Sequence, residues 1–303
     1  MPDTPAGDTR CGFVALIGAP NAGKSTLLNA LVGSKVTIVS RKVQTTRALI
    51  RGIAIEGSSQ LIFVDTPGIF SPRRRLDRAM VTTAWAGAHD ADLVGVLIDA
   101  RKGIDEEAEA ILGKLGEVKV PKILVLNKID LVPRPKLLEL AAQVNATGIF
   151  TDIFMISALT GDGVADLRAH LARNMPEGPF LYPADQLSDI NDRLMAAEIT
   201  REKLFVQLHQ ELPYALTVET ERWQELDDGS VRIEQLVYVR RDSQKAIVIG
   251  KGGQRLRSIG QAAREELKEI LGREVHLFIY VKVREDWEED PERYSAMGLE
   301  FKE

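Results

Sequence analysis

Residues 13–25 read FVALIGAPNAGKS. The run at 13–17 has the length and apolar character of a strand buried on both faces, and residues 24–32 carry helical spacing. Between them lies Gly18-Ala19-Pro20-Asn21-Ala22-Gly23-Lys24-Ser25, the spacing G-x-x-x-x-G-K-S at a strand-to-helix turn. Backbone N–H groups of such a loop converge at a helix N-terminus, where an anion is stabilised. The spacing therefore predicts a phosphate site: Gly18, Ala22 and Gly23 shape the cradle, Lys24 reaches the terminal phosphates, and Ser25 offers a hydroxyl to Mg²⁺, with Thr26 completing the first turn.

Working outward, apolar runs at 61–65 (LIFVD), 93–99 (LVGVLID), 122–127 (KILVLN) and 153–157 (IFMIS) alternate with helical spacing at 76–88, 106–115, 136–144 and 164–173. That alternation predicts an α/β domain, a mostly parallel sheet with helices on both faces. Residues 48–56 (ALIRGIAIE) add a sixth strand, expected at an edge and antiparallel. After 173 the composition changes to NMPEGPFLYPADQ, whose three prolines suit an extended linker. The alternation then becomes α-β-β-α-α-β, an α+β unit with GKGG between its second and third helices. The expected boundaries are a tail at 1–10, a nucleotide domain at 11–175, a linker at 176–190, a second domain at 191–285 and a solvated acidic tail at 286–303.

The whole chain of 303 residues is 45% hydrophobic and 27% charged, which suits two folded domains and excludes fibrous and wholly disordered classes. Thirty-nine Lys and Arg against 44 Asp and Glu leave a charge of −5, split as +2 over residues 1–180 and −7 over 181–303. Bulk charge therefore gives no polycation. A single cysteine, Cys11, rules out an internal disulfide and a cysteine-based zinc site. With no secretory pattern in MPDTPAGDTR, the expectation is a cytoplasmic protein whose membrane contact is peripheral.

Three further motifs sit at strand ends, where open α/β sheets bind ligands. Asp65-Thr66-Pro67-Gly68 offers a carboxylate to Mg²⁺ and the Gly68 N–H to a γ-phosphate. Asn127-Lys128-Ile129-Asp130 selects the base, because a carboxylate at Asp130 accepts the paired N1–H and N2–H₂ donors of guanine, a pair adenine lacks. Ser157-Ala158 is positioned to give a backbone N–H to guanine O6. In the second domain Gly250-Lys251-Gly252-Gly253 lies in a stretch, 240–257, with six basic residues and one acid. Glycines at a helix N-terminus let a nucleic-acid backbone approach, with Arg255 and Arg257 alongside and Ile247, Ile249 and Leu256 as an apolar strip for unstacked bases. Arg73-Arg74-Arg75 fits either a solvated loop or a phosphate contact, and four scattered histidines show no metal-ligand spacing.

These motifs, in this order and with SRKVQTTR at 40–47, resemble the translation-factor-related GTPases over residues 10–175. With the GKGG unit added, nearly the whole chain resembles the Era-type bacterial GTPases, a P-loop GTPase domain followed by a type II KH domain. The resemblance implies GTP and GDP with Mg²⁺ as ligands, hydrolysis of GTP to GDP and phosphate, and Lys24, Asn21, Thr46 and Gly68 at the reacting phosphate. Ser25, Thr46 and Asp65 are the implied metal residues. Thr45 competes with Thr46, whose pairing with Arg47 matches the family register. The family's water-orienting glutamine is replaced by Ile69, so unaided turnover is expected to be slow. Asn21 resembles a ligand for a potassium ion bridging the phosphates; a loop cap is the alternative. Also implied are a monomer that binds the 3′ end of small-subunit ribosomal RNA and assists maturation of the small ribosomal subunit, with peripheral contact to the inner membrane. Two other readings stay open: a membrane-associated GTPase signalling switch, and a GTP-binding RNA chaperone with negligible turnover.

Overall fold

The computed structural model describes residues 9–40, 42, 45–72, 74–209 and 212–301, so residues 1–8 of the expected tail at 1–10, Arg73 and part of SRKVQTTR lie outside it. It divides into two compact units, one of 1–37, 46–189 and 294–303, the other of 38–45 and 190–293.

In the first unit the strands are β1 (Arg10–Gly18), β2 (Ile50–Glu56), β3 (Ser59–Asp65), β4 (Leu93–Asp99), β5 (Lys122–Asn127) and β6 (Asp152–Ile156). They form one sheet of order β2-β3-β1-β4-β5-β6, parallel except for the edge strand β2. The helices are α1 (Lys24–Val32), α2 (Arg75–Asp90), α3 (Glu106–Lys114), α4 (Arg134–Asn145) and α5 (Val164–Arg173). Successive residues of a strand point to opposite faces. In β1, Val14 and Leu16 accordingly join Leu28, Leu31 and Leu171 in one core, while Ala15 and Ile17 join Ala84, Ala88 and Ile111 in the other. The parallel register stacks the strand ends at Gly18, Asp65, Asp99 and Asn127 along one rim, which gathers the nucleotide motifs.

In the second unit α6 (Asp192–Gln207), β7 (Leu216–Glu225), β8 (Val231–Val239), α7 (Asp242–Ile249), α8 (Gln254–Leu271) and β9 (Val275–Val283) follow the expected order. The sheet runs β7-β8-β9, with β9 parallel to β8 and at an edge. Asn191 caps α6 by accepting the Leu194 N–H at 2.9 Å. Ala197, Leu204, Val237, Val248, Ile259 and Val281 make one part of the core, and Met195, Ile199, Ile233, Ala263, Leu267 and Val275 another.

Three boundaries differ from expectation. The strand that opens the fold starts at Arg10, inside the expected tail. The expected linker lies along the first unit: Gln60 Oε1 accepts the N–H groups of Leu181 and Tyr182 at 2.8 and 3.0 Å, and Ser188 Oγ donates to Arg51 O at 2.9 Å. Nor is the acidic end at 286–301 a solvated tail. Trp287 is 1% exposed and its indole donates to Ala215 O, while two of the acids around it are neutralised: Glu288 pairs with Arg240, and Asp290 with Arg293, which also pairs with Glu219. A short helix α9 (Pro291–Ala296) follows. The stretch beyond it belongs to the first unit, where Leu49 N–H donates to Met297 O at 2.9 Å and the Arg75 guanidinium lies 5.0 Å over the Phe301 ring.

Candidate nucleotide and RNA sites

The phosphate loop bends through residues that few side chains tolerate. Asn21 has φ 62 and Gly23, which starts α1, has φ 102. A Cβ on Gly23 would sit 2.2 Å from Asn127 Nδ2, so glycine is required there twice over, by angle and by space. Lys24, 6% exposed, donates its ammonium to the carbonyls of Gly18 and Ala19 at 3.1 and 3.2 Å. Burial lowers its pKa to about 8, with the Asp65 charge pulling the other way.

Asp65 is wholly buried. Its Oδ2 accepts hydrogen bonds from Ser25 Oγ at 3.0 Å, Thr37 Oγ1 at 3.1 Å and Thr46 Oγ1 at 3.1 Å, and Ser25 Oγ lies 2.8 Å from Thr46 Oγ1. The second carboxylate oxygen is buried with no hydrogen-bond partner among the described residues. Desolvation raises the Asp65 pKa, and Lys24 and the three hydroxyls oppose it. A buried carboxylate with a spare oxygen, ringed by hydroxyls, is a hard-oxygen donor set that suits Mg²⁺. Of the two threonines left open by sequence, Thr46 is brought to this cluster. Thr45 lies in the second unit, donating to Lys42 O at 2.9 Å with its Oγ1 2.7 Å from Ser40 Oγ. Thr37 was not singled out by sequence, because an isolated threonine in a loop carries no spacing to read.

The Asp65-Gly68 turn is tied to the phosphate loop by the Ile69 N–H donating to Gly18 O at 3.1 Å. Ile69 itself is buried in the core with Ile17 and Ala84. The base motif is fastened to the same loop. Asn127 Nδ2 donates to Ala22 O at 2.9 Å, and its Oδ1 accepts from the Lys128 and Ala158 N–H groups at 2.8 and 3.0 Å. Lys128, at φ 68, carries its ammonium to Asn21 O at 2.6 Å and to Asp99 Oδ2 at 2.7 Å. Burial works to raise the Asp99 pKa, but hydrogen bonds from Arg101 and Lys128 outweigh it and hold the carboxyl at about 2. Asp99 is thus a supporting residue that sequence missed, though its place at a parallel strand end was a readable sign. Asp130 is exposed in a short 3₁₀ turn (Ile129–Leu131), Ser157 is buried, and Thr26 is half-buried in the first turn of α1.

In the second unit, Gly250, Gly252 and Gly253 take φ 73, 59 and 75. A Cβ on Gly250 would meet Arg255 Cβ at 2.8 Å, so this glycine is needed to seat the turn against α8. Lys251, Arg255 and Arg257 are exposed, and Arg255 donates to Ile247 O at 2.6 Å. Behind the turn, α8 and the edge of β9 enclose a groove of about 330 Å³ whose walls include Leu256, Arg257, Gly260 and Ile279. Ile247 is exposed, whereas Ile249 and Leu256 rest on the core, so only part of the expected apolar strip is free.

The family model described as 50S ribosome-binding GTPase matches residues 13–128, and that of the KH domain matches 211–288. A GTPase Era from Afipia carboxidovorans is 67% identical over 301 residues, covering 99% of this chain and 98% of that protein; one from Rhizobium meliloti is 65% identical, covering 99% and 96%. A crystal structure of Era with MgGDPNP and nucleotides 1506–1542 of 16S ribosomal RNA has TM-score 0.91 and 39% identity, covering 96% of this chain and 99% of that one. A structure of Aquifex aeolicus Era bound to GDP and AlF₄⁻ matches equally well. Similarity of this degree over the full length of both partners settles the family: the chain belongs to the GTPase Era family, enzymes that bind guanine nucleotide with Mg²⁺ and hydrolyse GTP.

Proposed function

We propose that this GTPase is a cytoplasmic switch that binds single-stranded RNA, the 3′ region of small-subunit ribosomal RNA, through its second unit, and assists maturation of the small ribosomal subunit. The observation that carries the reading is the basic GKGG turn opening onto a groove beside a free strand edge. Unpaired bases need that combination, a close backbone approach and an apolar slot with hydrogen-bonding edges. The complex of a 39% identical Era with 16S RNA supports it.

At the nucleotide, Ser25 Oγ and Thr46 Oγ1 would hold Mg²⁺ with Asp65, and the ion would neutralise charge developing on the β- and γ-phosphates. Lys24, leaving the Gly18 and Ala19 carbonyls, would donate to the same oxygens, with the Gly68 N–H opposite. Asp130 would take the guanine N1–H and N2–H₂ pair. Ile69 lies in the core and gives the attacking water nothing to bond to, so hydrolysis must use another device. Asn21, with its backbone already turned to φ 62, is the proposed potassium ligand. Hydrolysis is expected to slow when sodium replaces potassium, and equal rates would remove that role.

The test is ultraviolet crosslinking in cells followed by sequencing of the bound RNA. Reads concentrated at the 3′ end of the small-subunit RNA are expected. Recovery of that RNA at background level would contradict the proposal.

A further inference from the structure

On the sheet of the second unit, Val275, Leu277, Ile279 and Val281 turn towards α6 and α8, which leaves His276, Phe278, Tyr280 and Lys282 on the other face of β9 by the alternation of a strand. The fold covers most of that other face. On β8, Leu236 is buried and Tyr238 lies under the Arg293 guanidinium at 4.4 Å, and Arg293 in turn pairs with Glu219 of β7. The cover stops at the edge strand, where Phe278 is 41% and Tyr280 50% exposed. Two aromatic rings two residues apart on one strand stand roughly 7 Å apart. Both are exposed along one edge, a spacing that suits stacking of consecutive or alternate unpaired bases.

Charge and continuity indicate the occupant. The Arg232 guanidinium lies 4.7 Å over the Phe278 ring, and Lys282 and His276 flank the pair; the one acid opposite, Glu234, is already paired with Arg232 at 2.8 Å. Phe278 and Tyr280 also line the rim of the groove that runs past Arg257, so a strand leaving the groove meets these rings next.

We propose that the outer face of β9 is a second base-stacking platform, in which Phe278 and Tyr280 take one or two unpaired nucleotides beyond those held in the groove. The inference rests on the RNA-binding reading above and extends its footprint. Stacking selects any base with a π-face, so the platform adds affinity and length preference more than sequence preference.

The experiment compares the full chain with its Phe278→Leu/Tyr280→Leu variant, which keeps apolar bulk and removes the rings, on a four-nucleotide RNA and on the same RNA extended by four nucleotides at either end. The natural chain is expected to bind one extended RNA about tenfold or more tighter than the short one, and the variant to bind the short RNA normally but lose that gain. Phe278→Trp, which retains a ring, is expected to keep it. A variant that binds both extended RNAs as the natural chain does overturns the platform and leaves the groove intact. If the natural chain binds none of these RNAs, the RNA reading fails with it. Circular dichroism melting of each variant separates loss of the rings from loss of fold.

Discussion

Three residues divide the nucleotide chemistry in ways that substitution can separate. If Asp130 reads guanine by accepting two N–H groups, an amide at that position donates where it used to accept. Asp130→Asn is then expected to shift preference from GTP to xanthosine triphosphate by at least about a hundredfold in the ratio of affinities, measured by competition. Unchanged GTP preference would refute the assignment. Asp99 serves differently, since it holds Lys128 across the phosphate loop and its carboxyl sits at about 2, below the ordinary 3.8. A carboxylate depressed in the fold adds stability that is complete above its unfolded value and lost as pH falls towards the folded one. Asp99→Asn should therefore narrow the difference in melting temperature between pH 6 and about pH 3, besides weakening GDP binding. Ile69 is core. Ile69→Ala should cost about 2–4 kcal/mol in denaturant unfolding yet change the hydrolysis rate of the folded enzyme only a few-fold. A rate drop of about a hundredfold or more would mean that this side chain shapes the attacking water after all.

Elements were legible where burial on two faces left continuous apolar runs, as in β4 and β5, or where a glycine turn ended a strand, as at Gly18. The edge strand β2 was readable too, because the charged Arg51 and Glu56 interrupt its apolar run. The C-terminal end was not. In EDWEEDPE the acids dominate the local composition, and nothing in the linear order shows that Arg240 and Arg293 neutralise two of their number or that Trp287 is sealed beneath them. Likewise residues 38–45 read as a loop of the nucleotide domain, yet Ile38 is buried with Met195 and Ile199, Val39 N–H donates to Glu202 at 2.8 Å, and Arg201 bonds Thr45 O. Long-range partners of this kind carry no local period. If the end stretch is part of the fold, Trp287→Ala should lower stability by about 3–5 kcal/mol, seen as an earlier unfolding midpoint in urea. A midpoint within error of the natural chain would restore the solvated tail.

At the scale of the whole molecule, the stretch at 38–45 is the part of the chain on which a switch would act. On one side Thr37 and on the other Thr46 give their hydroxyls to Asp65, where Mg²⁺ would sit, while between them Val39 N–H donates to Glu202 and Thr45 O accepts from Arg201, both on α6. If a γ-phosphate orders Thr46 and GDP releases it, the adjoining stretch that bonds α6 is the route by which the RNA-binding unit would respond. Coupling between two ligands is reciprocal: RNA must alter affinity for the GTP analogue relative to GDP by the same factor that nucleotide alters affinity for RNA. The direct measurement is titration of a small-subunit RNA 3′-end fragment into the full chain loaded with GDP or with a non-hydrolysable GTP analogue, each with Mg²⁺. The affinities are expected to differ by about 5-fold or more, with the same factor recovered when nucleotide is titrated into the RNA complex. Equal affinities in the two states would leave a GTPase and an RNA-binding unit on one chain, with no switch between them.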